Sequence, residues 1–236
     1  GTAKAADRVE ISYRSGGGLL WSQDFVEPAW SAPNPRYFSA LSGDGSIELG
    51  LPNYGTGELE YNNPSAAFID GTGNLKIRTS VNNSRWTSAR IWTARKIGFK
   101  YGQLDIRAKF PEGSFNWPAI WMLGGNYSPP NRIFGTTQWP ASGELDIVES
   151  LRFNTEVRGT LHGINPETGG SWRGGGGVSA LAPLTDITGD FHTWSIQWRP
   201  NQITFLMDGV WYAKNTFDGA KVTQVLPSGQ RDVFYS

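Results

Sequence analysis

Between Gly143 and Ser150 the chain reads Gly-Glu-Leu-Asp-Ile-Val-Glu-Ser. Successive side chains of a pleated strand point to opposite faces, so Glu144 and Asp146 share one face and Leu145 and Ile147 the other. Strict alternation would put Glu149 among the apolar residues, where an unpaired carboxylate is costly. One bulged residue near Ile147–Val148 returns it to the acidic face. Three carboxyl groups on one face raise one another's pKa and weaken a fold unless chemistry uses them. Glycosidic hydrolysis does. A retaining mechanism needs an ionised nucleophile and a protonated acid about 5–5.5 Å apart, and a third carboxyl can hold and tune the nucleophile. Acids alternating along an exposed strand would show the same spacing, and spacing alone does not choose between the two.

The elements that must position these groups are strands. Leu104, Ile106, Ala108 and Phe110 alternate with Gln103, Asp105, Arg107 and Lys109, and Trp194, Ile196 and Trp198 alternate with Thr193, Ser195 and Gln197. Val9, Ile11 and Tyr13 alternate likewise with polar residues. Asp208-Gly209 between Ile203–Met207 and Val210–Tyr212 predicts a tight hairpin. Turn clusters stand at Ser42–Ser46, Asp70–Asn74 and Gly169–Gly177, and no stretch carries a helical period over three turns. Strands at this spacing without intervening helices predict one antiparallel sandwich or barrel, with no linker dividing the 236 residues.

Composition narrows the partners. Lys plus Arg equals Asp plus Glu at 21 each, so no global field draws nucleic acid or an anionic membrane. The absence of cysteine excludes a disulfide scaffold, thiolate metal sites and a Cys nucleophile. Eleven tryptophans, 30 glycines and a charged fraction of only 18% suit a β-rich protein with a flat, uncharged ligand such as a sugar, and equally a β-core filled with Trp. Gly174–Gly177 lacks the Gly-Lys-Ser/Thr of a phosphate loop and reads as a mobile loop. Asp70 and Asn74 resemble part of a calcium loop, but Val81 stands where its Glu belongs. His162 and His192 are too few and too far apart in sequence for a zinc site, and Asn82-Asn83-Ser84 and Asn126-Tyr127-Ser128 are glycosylation sequons.

Glu144-Leu-Asp146-Ile-Val-Glu149 resembles the bulged E-x-D-x-x-E motif of glycoside hydrolase family 16, and Trp139-Pro-Ala-Ser-Gly-Glu144 resembles the run before the nucleophile in its laminarinase-like endo-β-1,3-glucanases. Leu19–Phe25, Gly57–Tyr61, Thr87–Arg90, Trp117–Leu123 and Leu161–Gly163 follow in that family's order, a resemblance over about 20–215. It implies a single all-β domain, a β-jelly roll sandwich of two curved antiparallel sheets with a concave sugar-binding cleft. It implies a retaining endo-hydrolase of laminarin-like β-1,3-glucan. A non-catalytic β-glucan-binding protein on the same fold, or a relative acting on mixed-linkage glucan or algal galactan, are the rival readings.

By this resemblance Glu144 is the nucleophile, Asp146 its assistant and Glu149 the acid/base. Glu144 is expected to stay ionised and Glu149 to carry a raised pKa. Trp117, Trp121 and Trp139 would be sugar platforms or core tryptophans, Arg90 a ligand to sugar hydroxyls or a surface residue, and His162 a neighbour of the acidic strand or a structural histidine. No cofactor is required for catalysis, and the family allows a structural Ca²⁺, with Asp7 as one carboxylate if the chain order is rearranged. The expected partner is a β-glucan polysaccharide, with no nucleic acid and no membrane, for a secreted monomer whose N-terminus shows no signal peptide.

Two departures stand out. Tyr54-Gly-Thr-Gly57 replaces an aromatic and two asparagines, and after Tyr212 the chain lacks the family's Gly/Ala/Val-rich strand, Gly-Asn-Trp-Pro-like loop and closing strand. Residues 7–14 either fill that closing strand's place or form an ordinary N-terminal strand.

Overall fold

Alternating side chains become paired strands throughout the computed structural model, which describes residues 9–12, 18–113, 116–131, 135–151, 156–164, 171–179, 187–218, 221–229 and 231–235. Among these, helix occurs only as the short 3₁₀ turns Pro52–Gly55 and Pro64–Ala66. The chain forms two compact units, Gly1–Lys100 with Ser128–Thr136, and Tyr101–Tyr127 with Thr137–Ser236.

The first unit is built from short strands: β1 (Val9–Ser12), β2 (Ser39–Ala40), β3 (Tyr61–Asn62), β4 (Ala67–Ile69), β5 (Leu75–Ile77), β6 (Ser80–Asn82), β7 (Arg85–Ser88), β8 (Ile91–Trp92) and β9 (Ile97–Lys100). They pair as β1–β9, β2–β8, β3–β7–β6 and β4–β5. The β1–β9 pair is parallel. Residues 7, 8, 13 and 14 of the proposed closing strand lie outside the described residues. Leu41, Leu49 and Tyr54 form a buried cluster with Leu51 and Trp92 against it. The Asp70–Asn74 turn is closed by its own side chains. The Asp70 carboxylate pairs with Lys76 and accepts from Thr72 and Asn74; those hydrogen bonds, the Thr72 N–H first, hold its pKa well below the usual carboxylate range.

The second unit holds two sheets. One runs in the order β10 (Gly102–Ala108), β15 (His192–Arg199), β16 (Gln202–Met207), β17 (Val210–Asp218), β18 (Lys221–Val225), β19 (Arg231–Tyr235). The other runs β11 (Ala119–Leu123), β12 (Glu144–Leu151), β13 (Glu156–Ile164), β14 (Ser171–Ser179). The alternation read at 103–110 sets the register, because Leu104 and Ile106 lie opposite Ile196 and Trp194. The predicted hairpin is present, with Asp208 at φ 48° and Gly209 at φ 78°, the two positive angles that a two-residue turn between twisted strands needs. Trp194, Ile196, Phe205 and Tyr212 from one sheet and Ile147, Val148 and Val157 from the other are buried, each worth roughly 1.5–3 kcal/mol of apolar burial.

One expectation is corrected. Gly174–Gly177, read as a mobile loop, lies within β14, which pairs with β13 over Ser171–Ser179. A glycine run shows no side-chain alternation, so its pairing left no period to read.

Candidate active site

The acidic strand carries the bulge that its sequence demanded. On one side Ile120 and Trp121 face Val148 and Asp146, which leaves Ile147 without a counterpart. On the other, Thr160 faces Asp146 and Arg158 faces Glu149, so Ile147 and Val148 together oppose Gly159. Two residues opposing one is a β-bulge, and it puts Glu149 back on the face of Glu144 and Asp146. Two groups from the opposite sheet hold it. Tyr212, fully buried, donates its hydroxyl to the carbonyl of Ile147. The ring of Phe205 sits where a Cβ on Gly159 would come within 2.6 Å of it.

On the acidic face each glutamate accepts a hydrogen bond from a half-exposed indole. Trp117 Nε1 donates to Glu149 Oε1 at 3.0 Å, and Trp139 Nε1 donates to Glu144 Oε2. The rings themselves are 52% and 47% exposed, so their faces stay open while their N–H groups are engaged. Thr160 Oγ1 gives Glu149 a second, longer bond of 3.3 Å. Asp146 is 3% exposed, with Oδ2 3.2 Å from His162 Nε2. His162 stands directly opposite Glu144, and its ring lies 5.8 Å from that of Trp139.

Burial, and then the Asp146 charge, push the Glu144 carboxyl up to about 7, against smaller opposing effects of His162 and the Trp139 N–H. Glu149 is also raised, by burial and by Asp146, with Trp117 and Thr160 opposing. The rise on Glu149 agrees with the sequence reading. Glu144, expected to stay ionised, is raised as well. The physical reason is burial first, and then the negative charge of Asp146 beside it. One oxygen each from Glu144 and Asp146 and a nitrogen of His162 lie within 4.8 Å of one another, a spacing open to a cation. In the structure His162 Nε2 lies 3.2 Å from Asp146 Oδ2, and the Trp139 N–H is on Glu144.

The structure thus brings together Glu144, Asp146, Glu149, Trp117, Trp139 and His162, and Trp121 joins them by facing Asp146 across the strands. Arg90 belongs to the first unit, where its guanidinium pairs with Glu58 and lies 4.2 Å from the centre of the Tyr54 ring. His192 belongs to the other sheet, bonded to Asp208 at 2.7 Å. Asp7 lies outside the described residues. Sequence reasoning missed Thr160, Tyr212 and Gly159. The partners of all three are set by register and sheet packing, which no local motif announces.

These features can be compared with known proteins. The family model described as glycosyl hydrolases family 16 matches residues 58–236. The chain is 32% identical over 201 residues to a beta-glucanase of Rhodothermus marinus, covering 82% of this chain and 64% of that protein. It is 40% identical over 132 residues to a beta-1,3-glucan-binding protein of Penaeus monodon, covering 52% of this chain and 34% of that one. It therefore spans less than two thirds of the length of either curated relative. Among solved structures, the laminarinase catalytic domain of Thermotoga maritima MSB8 superposes with a TM-score of 0.69 at 34% identity, over 84% of this chain and 77% of that one. The expected all-β jelly-roll class stands on this match. A bulged strand that aligns three carboxylates, on this fold and with these matches, has one consistent assignment: the chain belongs to glycosyl hydrolases family 16.

Proposed function

We propose that this chain is a catalytic domain that hydrolyses β-1,3-glucan internally, with retention of anomeric configuration. The observation that carries the reading is the single acidic face on which Glu144 and Glu149 are separated by the bulge and each receives an indole N–H. Glu149, its pKa raised by burial and by Asp146, is suited to hold the proton that the leaving oxygen needs. Glu144, in its ionised form, attacks the anomeric carbon, with Asp146 and the Trp139 N–H beside it to position the carboxylate. Glu149 then deprotonates the incoming water, and the glycosyl-enzyme ester is released. The open faces of Trp117 and Trp139 suit the C–H faces of glucose rings. The similarity to the Rhodothermus marinus beta-glucanase and the Thermotoga maritima laminarinase domain supports a glucan substrate. A polysaccharide cannot cross a bilayer, which favours an extracellular site of action.

A second reading, a glucan-binding protein without hydrolysis, draws on the Penaeus monodon relative; the complete carboxylate set speaks for chemistry. Incubation with laminarin, lichenan, agarose and carrageenan, with reducing ends measured, separates the readings. Release of short oligosaccharides from laminarin, first formed as the β-anomer by proton NMR, is the expected result. A first-formed α-anomer rules out the double displacement, and retention of laminarin without new reducing ends establishes the binding protein.

A further inference from the structure

In the first unit, Trp30 leaves 72% of its surface exposed, an unusual place for the largest apolar side chain. It also holds a φ of 68°, a conformation costly for a bulky residue, which persists only where the surroundings impose it. The surroundings do impose it. Its N–H donates to Ile69 O at 2.7 Å, Ile69 N–H returns a bond to Ser31 O at 2.9 Å, and Ser31 Oγ closes onto Pro28 O at 2.6 Å. The tight Asp70–Asn74 turn backs the segment so closely that a Cβ on Gly71 would come within 2.8 Å of Ala29 Cβ. The ring then lies flat on buried Phe68, with centroids 4.8 Å apart and planes at 17°. Core packing explains Phe68 but not an outward ring fixed at the expense of backbone strain.

Polar groups surround the stack. The Arg78 guanidinium lies 5.1 Å from the Phe68 centroid, and Lys76 faces Phe68 across the β4–β5 pair. Lys76 is answered by Asp70 at 3.5 Å, so the patch offers N–H donors with a net charge of one, that of Arg78. A rigid aromatic plane edged by such donors suits a neutral ring with one apolar face and many hydroxyls. It suits an acidic polymer less, since a single net positive charge is little to hold a polyanion.

We propose that Trp30, stacked on Phe68 and flanked by Lys76 and Arg78, is a non-catalytic platform that holds a glucosyl ring of the polysaccharide. The choice of sugar rests on the glucan-acting function proposed above; the platform itself rests on the geometry of this turn.

The test uses the full chain carrying Glu144→Gln, so that polymer is not consumed, and reads its mobility in gels containing laminarin and its retention on insoluble curdlan. Adding Trp30→Ala should weaken both about two- to tenfold, while the same substitution with Glu144 intact leaves hydrolysis of laminaritetraose unchanged. Retention equal to that of the parent overturns the platform, as does a parent that neither polymer retains. Should Trp30→Ala not fold, Arg78→Ala, which leaves the Trp30 backbone bonds in place, decides in the same assays. The two proposals fail separately. A chain that cuts no glucan but loses retention with Trp30 keeps the platform without the enzyme, and a chain that cuts laminarin with retention indifferent to Trp30 keeps the enzyme alone.

Discussion

The hydroxyl of Tyr212, on the six-stranded sheet, donates to the main-chain carbonyl of Ile147 at the bulge of the acidic strand. That carbonyl lies where the strand ladder is interrupted, so the phenol satisfies an acceptor that would otherwise be buried without a partner. The direction of Glu149 therefore depends on a side chain that never meets the substrate. Tyr212→Phe should cost about 1–3 kcal/mol of stability in urea unfolding, and lower kcat for laminarin more than it alters KM. Unchanged kcat in a destabilised protein would limit Tyr212 to a packing role.

Gly159 opposes the bulge under the ring of Phe205. Gly159→Ala should destabilise the chain by about 1–3 kcal/mol through overpacking. Phe205→Leu in the same chain should return part of that loss, so a double-mutant cycle should show coupling between the two sites. Strict additivity would mean that the contact is not the cause.

Stability should depend on pH through Glu144. Its carboxyl rises from an ordinary 4.5 to about 7 on folding, chiefly by burial and by Asp146. Between those values the folded chain holds the proton more strongly than the unfolded chain, so stability falls as pH rises through this window and stays low above it. Glu144→Gln should therefore be more stable than the parent at pH 8, on the order of 1–3 kcal/mol, with the gap closing near pH 4. Equal melting temperatures at pH 8 would contradict the assignment.

Azide should distinguish the two glutamates. Glu144→Ala should lose hydrolysis and recover turnover with azide as an α-glycosyl azide. Glu149→Ala should keep activity on substrates whose leaving group needs no protonation and give the β-azide. Opposite anomers would exchange the two roles.

The Trp117 N–H favours the ionised form of Glu149. Trp117→Phe keeps a ring but removes the donor, so the Glu149 pKa should rise and the alkaline limb of kcat/KM should move to higher pH. A limb that moves the other way, or stays in place, would separate the indole from the acid.

The legible parts of the molecule were those in which one residue type had only one tolerable side. The bulge followed from the cost of turning Glu149 toward Leu145, and the hairpin from the φ angles that Asp208-Gly209 accepts. The strand 103–110 followed from alternation that the register with 192–199 then used. What stayed hidden depended on partners far along the chain. Glycines of β14 carry no pattern, and the phenol of Tyr212 has no local reason to reach Ile147. Thr160 comes to Glu149 only through the register of β12 with β13. The raised pKa of Glu144 stayed hidden for another reason: spacing puts two acids on one face but does not say how deeply they are buried.

The bulge also makes the number of residues in β12 matter as much as their identity. Removing one residue at Ile147 or Val148 would leave every catalytic side chain in the sequence and Glu144 and Asp146 where they stand, yet turn Glu149 toward the apolar interior. The half-exposed faces of Trp117 and Trp139 would remain, and Glu149 would no longer share the face of the other two acids. If the proposed function holds, a single lost codon is thus a short path from hydrolysis to binding alone.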